Sequence, residues 1–229
     1  MSDEPIPLEQ EALVELPVFP LPQVVLFPGA RLPLHIFEPR YRAMLRDCLE
    51  THRAMAITSL VDGPRDLEGA SERHHLAGVG GVGVVVEHEA LPDGRSNILL
   101  LGYARVTLQE LPFRPPYRRA RAVILEDIDV HVPAHETAAL VSAALAFTAE
   151  VKKHDATFEL RLPTNGPPGL ALESPGALAD AFAHQLVIDP GIRMAILRSC
   201  DPRERVNLAL DALARQAGAL GRSPGAVLN

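Results

Sequence analysis

Apolar positions change their period once along this chain, from two in the first half to about 3.6 in the second, and the change falls at Val132-Pro133. Residues 24–27 form a short apolar run, read as a strand, stopped by the turn dipeptide Pro28-Gly29. Leu32, Leu34 and Ile36 then alternate as in a strand. Pro39 supplies the fixed φ suited to a first helical position, and Tyr41, Met44, Leu45, Cys48 and Leu49 share one face of a helix ending near His52. That leaves Arg40, Arg42, Arg46 and Asp47 pointing elsewhere. Residues 82–86, 98–101, 104–108 and 121–125 read as further short strands. Pro92, Asp93 and Gly94 form the clearest hairpin turn. Strands this short beside one helix predict a closed or nearly closed barrel, which leaves few exposed edges.

Beyond Pro133, Leu140, Val141, Ala144, Leu145, Thr148 and Val151 predict one face of a helix ending near His154. Ser174-Pro175, Asp189-Pro190 and Asp201-Pro202 each place a capping side chain before a proline at the first helical position. Three more helices follow, with Leu178, Phe182 and Leu186 inward on the first, Ile192, Ile196 and Leu197 on the second, and Val206, Leu210 and Leu213 on the third. Residues 161–169, rich in proline and glycine, read as a loop bridging two of these helices.

Composition narrows the picture. Aromatic residues make up 4% of the 229 and tryptophan is absent, so packing must lean on Leu, Val and Ala, which suits a small barrel beside helices better than an aromatic cleft. A net charge of -7 disfavours general binding to nucleic acid. Cys48 and Cys200 lack the number and spacing of a disulfide framework or a zinc site. No segment reaches the ~18 consecutive apolar residues of a membrane span, and the acidic start lacks the basic and apolar regions of a secretory signal, so a cytoplasmic location without membrane contact is expected.

Several motifs fail on their context. Gly78, Gly80, Gly81 and Gly83 satisfy G-x-G-x-x-G, yet a strand follows where a nucleotide site needs a helix, so these glycines are read as admitting a bulge or tight bend in a barrel strand. Gly221, Ser223 and Gly225 spell a nucleophile elbow with only four residues after it. His74-His75, His131 and His135 show no metal-ligand spacing. No cofactor, metal or catalytic residue is expected. One dense basic cluster, Arg114, Arg118, Arg119 and Arg121 interleaved with Phe113 and Tyr117, could grip a carboxylate, a phosphate or RNA, although alternation around Ala120 and Ala122 sets it on the outer face of a strand.

Three stretches together carry a resemblance: Leu16-Pro17-Val18-Phe19-Pro20-Leu21, Leu26-Phe27-Pro28-Gly29, and the continuous Leu32-Pro33-Leu34-His35-Ile36-Phe37-Glu38-Pro39-Arg40-Tyr41-Arg42. They resemble the N-terminal, substrate-binding domain of the ATP-dependent Lon protease and free-standing proteins made of that domain. Leu101-Gly102-Tyr103-Ala104-Arg105-Val106, Pro116-Tyr117-Arg118-Arg119-Ala120 and Asp201-Pro202-Arg203-Glu204-Arg205 extend the likeness from about Val14 to Arg215. The resemblance implies an α+β protein: a barrel like that of pseudouridine synthases and archaeosine transglycosylases (PUA-like) with one helix, then a bundle of about four helices. Residues 1–13 are expected as a disordered tail, 14–130 as the barrel, 131–220 as the helical part and 221–229 as a flexible tail.

The resemblance also implies a non-catalytic polypeptide-binding module, an adaptor or client-recognition protein whose partners are unfolded or tagged polypeptides and an ATP-dependent protease. The sequence holds neither a Gly-Lys dipeptide for an ATPase phosphate loop nor room for a Ser-Lys protease domain. Phe37, Arg40 and Tyr41 are the candidate edge of a peptide groove. Glu38 is expected to pair with Arg42 or Arg105 and so pin the strand to helix junction. The alternative is a barrel that binds a small molecule or RNA through the arginine cluster.

Overall fold

The computed structural model describes residues 7–62, 74–163, 166–167, 170–171 and 173–220. The motif at Gly221 to Gly225 and the last tail lie outside them, as do residues 1–6. The chain divides into two compact units, Met1–Glu126 with Asn165–Leu170, and Asp127–Thr164 with Ala171–Asn229.

The first unit is a PUA-like barrel. Its strands are β1 (Leu16–Pro20), β2 (Arg31–Ile36), β3 (Ala54–Thr58), β4 (Leu60–Asp62), β5 (His74–Leu76), β6 (Val79–Ala90), β7 (Ser96–Glu110) and β8 (Arg118–Ile124). The main sheet runs β2-β7-β6-β3-β1-β8, and β7 pairs with β8 as well, so five strands close on themselves while β2 hangs on the first half of β7. The interior is filled by short side chains such as Ala54, Ala56, Val82, Val84, Val106, Ala120 and Ala122. That filling is what an aromatic-poor composition permits in a narrow barrel.

Four local expectations change in the barrel. Residues 24–27 are not a strand. They form an irregular segment with Val25, Leu26 and Phe27 buried, which crosses the glycines of β6 and β7. A Cβ added at Gly81 or Gly102 would stand 2.0 Å from the carbonyl oxygen of Leu26 or Phe27. The glycine-rich stretch thus serves a close crossing of two chains, the reason a strand replaces its Cβ with hydrogen. The same crossing merges the two strands expected at 98–101 and 104–108 into one, because Gly102 donates to Ala30 and accepts from Gly29 without leaving β7. Residues 7–13 are not wholly a tail: Gln10–Leu13 is a 3-10 helix that buries Ala12 and Leu13 in the barrel core. Finally, β3 gave no alternating signal because both its faces are covered.

The hairpin between β6 and β7 turns as expected, with Gly94 at φ 79° donating to Leu91. Helix α1 (Pro39–Glu50) buries Tyr41, Met44, Leu45 and Cys48. Burial and neighbouring Asp47 push the Cys48 thiol up to about 12, which keeps it protonated and unreactive.

The second unit is a bundle of α2 (Ala134–His154), α3 (Pro175–Leu186), α4 (Pro190–Arg198) and α5 (Pro202–Leu220), in which α2, α3 and α4 all pack on α5. All three proline caps form: Ser174 Oγ accepts from Ala177, Asp189 Oδ1 from Gly191 and Ile192, and Asp201 Oδ1 from Arg203 and Glu204. Gln185 holds the backbone of Arg161 by two bonds, tying the start of the interhelix loop to α3. On α2 the buried stripe is Leu140, Ala144, Phe147 and Thr148, whereas Leu145 is 58% exposed. Alanines occur all round this helix, so its hydrophobic stripe is shallow and the bulk of Phe147 decides which face turns inward. Arg205, 1% exposed, donates 2.6 Å bonds to both carboxylate oxygens of Asp127 and stands 3.4 Å from Asp180, itself 1% exposed.

Candidate functional site

A cleft of about 1000 Å³ opens in the barrel unit. Three local patterns build it. On β1, Leu16 and Val18 enter the barrel core, so the strand's alternation turns Phe19 to the opposite face. The β2 to α1 junction contributes Phe37, Glu38, Arg40 and Tyr41, and the segment between β7 and β8 contributes Phe113, Pro116 and Tyr117. Leu60 of β4 and His75 of β5 complete the wall.

The chain has seven Phe and three Tyr in all. Five of these ten, Phe19, Phe37, Tyr41, Phe113 and Tyr117, line this one cleft. The expectation that scarce aromatics argue against an aromatic cleft is therefore corrected: the fully buried barrel cluster is built from Ala, Val and Leu, and half the rings of the chain gather at this cleft. Phe37 is 59% and Phe113 62% exposed, while Tyr41 is only 6% exposed. Tyr41 is floor, its ring centroid 4.3 Å from that of Phe19, and Phe37 is rim, stacked on His35. Burial raises the Tyr41 phenol above its usual value.

Polar groups around the rings are tied to one another. Arg40 lies 4.6 Å over the Tyr41 ring and donates to Glu38 at 2.9 Å. Tyr117 donates to Asp47 Oδ2 and accepts from Arg119, both at 2.7 Å. Burial, then the bond to Asp47, push the Tyr117 phenol up to about 12, so it stays a neutral donor. Arg118 is paired with Glu110. The arrangement offers apolar, polarisable surface bounded by neutralised charge, a surface suited to binding side chains.

Of the residues singled out from sequence, Phe37, Arg40 and Tyr41 come together in the cleft. The expected partners of Glu38 do not. Glu38 pairs with Arg40 at 2.8 Å. The β2–β7 register sets Ile36 opposite Ser96, nine residues along β7 from Arg105, and Arg42 lies against Gly94 of the hairpin, where an added Cβ would be 2.1 Å from its Nη2. The basic cluster is drawn onto local partners: Arg114 stands 3.6 Å from Glu15, Arg118 is paired with Glu110, Arg119 stacks 4.2 Å over the Tyr117 ring and donates to the Arg114 carbonyl, and Arg121 is exposed. Arg118 shares the parity of Ala120, the inward face of β8 rather than the outer one expected for it, and reaches the cleft from there. Phe19, Leu60 and His75 were missed. Only the inward signal of Leu16 and Val18 could have found Phe19, and Leu60 and His75 arrive through pairing of β4 with β5, which the sequence pattern did not show.

Among the described residues, no group of three or more His, Cys, Asp and Glu could hold a metal ion, and no helix is long and apolar enough to cross a membrane.

Comparison with known proteins places this architecture. The Lon protease of Roseiflexus castenholzii is 29% identical over 206 residues, covering 88% of this chain and 24% of that protein. The Lon protease of Xanthomonas oryzae is 26% identical, covering 90% of this chain and 24% of that protein. The chain thus spans about a quarter of the length of these relatives. A Lon N-terminal domain protein from Xanthomonas campestris shares the fold with a TM-score of 0.59 and 21% identity, over 86% of this chain and 98% of that one. The N-terminal domain of Lon protease from the Mycobacterium avium complex does so at 0.58 and 15% identity, over 87% and 98%. Residues 15–215 match the model of the ATP-dependent protease La (LON) substrate-binding domain, and the chain belongs to that family.

Proposed function

We propose that this chain is a non-catalytic, cytoplasmic polypeptide-binding module that holds unfolded or tagged segments in the Phe37–Phe113 cleft, acting as an adaptor or client-recognition protein beside an ATP-dependent protease. The observation that carries this reading is the collection of half the chain's aromatic side chains around one cleft, with the two outermost rings more than half exposed. Exposed rings beside a buried aromatic floor offer the kind of surface on which the anchors of protein interfaces are built. Family membership supports the substrate class, since the matching model is a substrate-binding domain. The pairing of Arg114 with Glu15 and of Arg118 with Glu110 favours polypeptide over the anion or RNA alternative.

The test is affinity for an unfolded protein, such as reduced and carboxymethylated lactalbumin, measured by fluorescence anisotropy with wild type and a Phe37→Ser, Phe113→Ser double variant. Loss of the two rings should weaken binding about thirtyfold or more, the effect of losing interface anchors, while changing stability by less than about 0.5 kcal/mol because both are exposed. Unchanged affinity in a folded variant would move the site elsewhere. Co-purification of an ATP-dependent protease with the tagged wild type tests the adaptor role separately.

A further inference from the structure

We propose, building on that reading of the cleft, that a bound polypeptide pairs its backbone with the free edge of β2, adding a strand to the barrel sheet. Among the described residues, strand β2 has one neighbour, β7, and sits at the end of the strand order. Leu34 and His35 both line the cleft. Consecutive strand residues point to opposite faces, so a cleft that meets both reaches round the strand rather than over one face alone. β7 occupies one edge, which leaves the other.

That edge carries unused hydrogen-bonding groups. Among the described residues, the backbone of Arg31–Ile36 bonds to β7 and to nothing else. Pro33 fixes the parity. A proline in a sheet turns its missing donor away from the ladder, so Arg31, Pro33 and His35 present their backbone groups outward while Leu32, Leu34 and Ile36 bond to β7. The outward row offers three carbonyls and the two N–H groups of Arg31 and His35. A partner with free amides and carbonyls in extended conformation satisfies this row, and a folded protein, whose backbone groups are already paired, does not. Selection would then act on the absence of secondary structure, with the aromatic rim adding side-chain preference. The six residues of β2 match the ordinary length of a strand.

The experiment uses a soluble fluorescein-labelled peptide of alternating leucine and serine with a central phenylalanine, and a series in which single backbone amides are N-methylated. Edge pairing predicts a period of two: methylation at every second position weakens binding by roughly three- to tenfold, and methylation between them has little effect. His35→Pro should weaken binding by a similar factor beyond His35→Ala, since both remove the ring and only the proline removes the outward N–H. Circular dichroism checks that both variants fold. Binding that is insensitive to methylation, or equal in the two His35 variants, overturns edge pairing and leaves the cleft reading intact. Failure of the unmethylated peptide and of unfolded lactalbumin to bind overturns both. A concentration-dependent dimer abolished by His35→Pro, with no peptide bound, would assign the edge to a second copy of the chain and overturn the proposal.

Discussion

The barrel and the helical unit use the same two resources, rings and charges, in opposite ways. The barrel fills its interior with Ala, Val and Leu and sends Phe19, Phe37, Tyr41, Phe113 and Tyr117 to an outer cleft. The helical unit buries Phe147 and Phe182 in its core. Its Arg205, 1% exposed, is locked to Asp127 and Asp180, whereas the Glu38–Arg40 pair at the cleft is about half exposed. An exposed pair contributes at most about 1 kcal/mol, and removing one partner of a buried pair costs about 3–5 kcal/mol. On this comparison the Arg205 cluster serves stability, while the weaker pairs frame the proposed binding surface.

That contrast can be broken from the strong side first. Arg205→Ala should lower unfolding free energy by about 3–5 kcal/mol, read as a shift of the urea midpoint. Arg205→Lys should rescue little because the two bonds to Asp127 need a planar fork. Near-normal stability in Arg205→Ala would mean the cluster is not structural. Gly102→Val should cost about 3 kcal/mol, the upper end of over-packing, because its Cβ meets a backbone oxygen at 2.0 Å that no rotamer can move. A smaller loss would show that the Leu26–Phe27 segment can lift. Asp189→Ala, which removes the acceptor for two N–H groups of α4, should cost about 1 kcal/mol. None of these four substitutions should alter the intrinsic affinity of the cleft in protein that remains folded.

The gentlest test is alkaline. All three tyrosines are shifted upward, Tyr41 and Tyr103 by burial and Tyr117 to about 12 by burial and its bond to Asp47. A raised phenol favours the neutral form in the fold, so the stability it brings is complete below pH 10 and disappears as pH climbs through about 12. Tyrosinate absorbance should therefore lag behind that of free tyrosine at pH 10 and rise together with loss of structure. An ordinary midpoint near 10 in folded protein would contradict the bond between Tyr117 and Asp47.

Strong local signals survived into the structure. The proline caps at Ser174, Asp189 and Asp201, the Asp93-Gly94 turn, and the Pro39 helix start each act within one turn of chain, where a side chain and its own backbone settle the conformation. Phe37, Arg40 and Tyr41 were legible as candidates because they cluster at one such junction. The expected ion pair of Glu38 failed because it was a claim about distance between strands, which depends on register. Phe147 was overlooked because an alanine-rich helix has little contrast between its faces.

By itself the sequence determined the order and kind of most elements, a strand-built first half and a four-helix second half, and the family. The fold, rather than any local pattern, makes a glycine-rich strand a crossing point for Leu26 and Phe27, brings five scattered rings to one cleft, and among the described residues leaves β2 with a single neighbour. The reason is physical: caps and turns are satisfied by neighbours in sequence, whereas a crossing, a cleft and an edge exist only once residues far apart in sequence have been brought within contact distance.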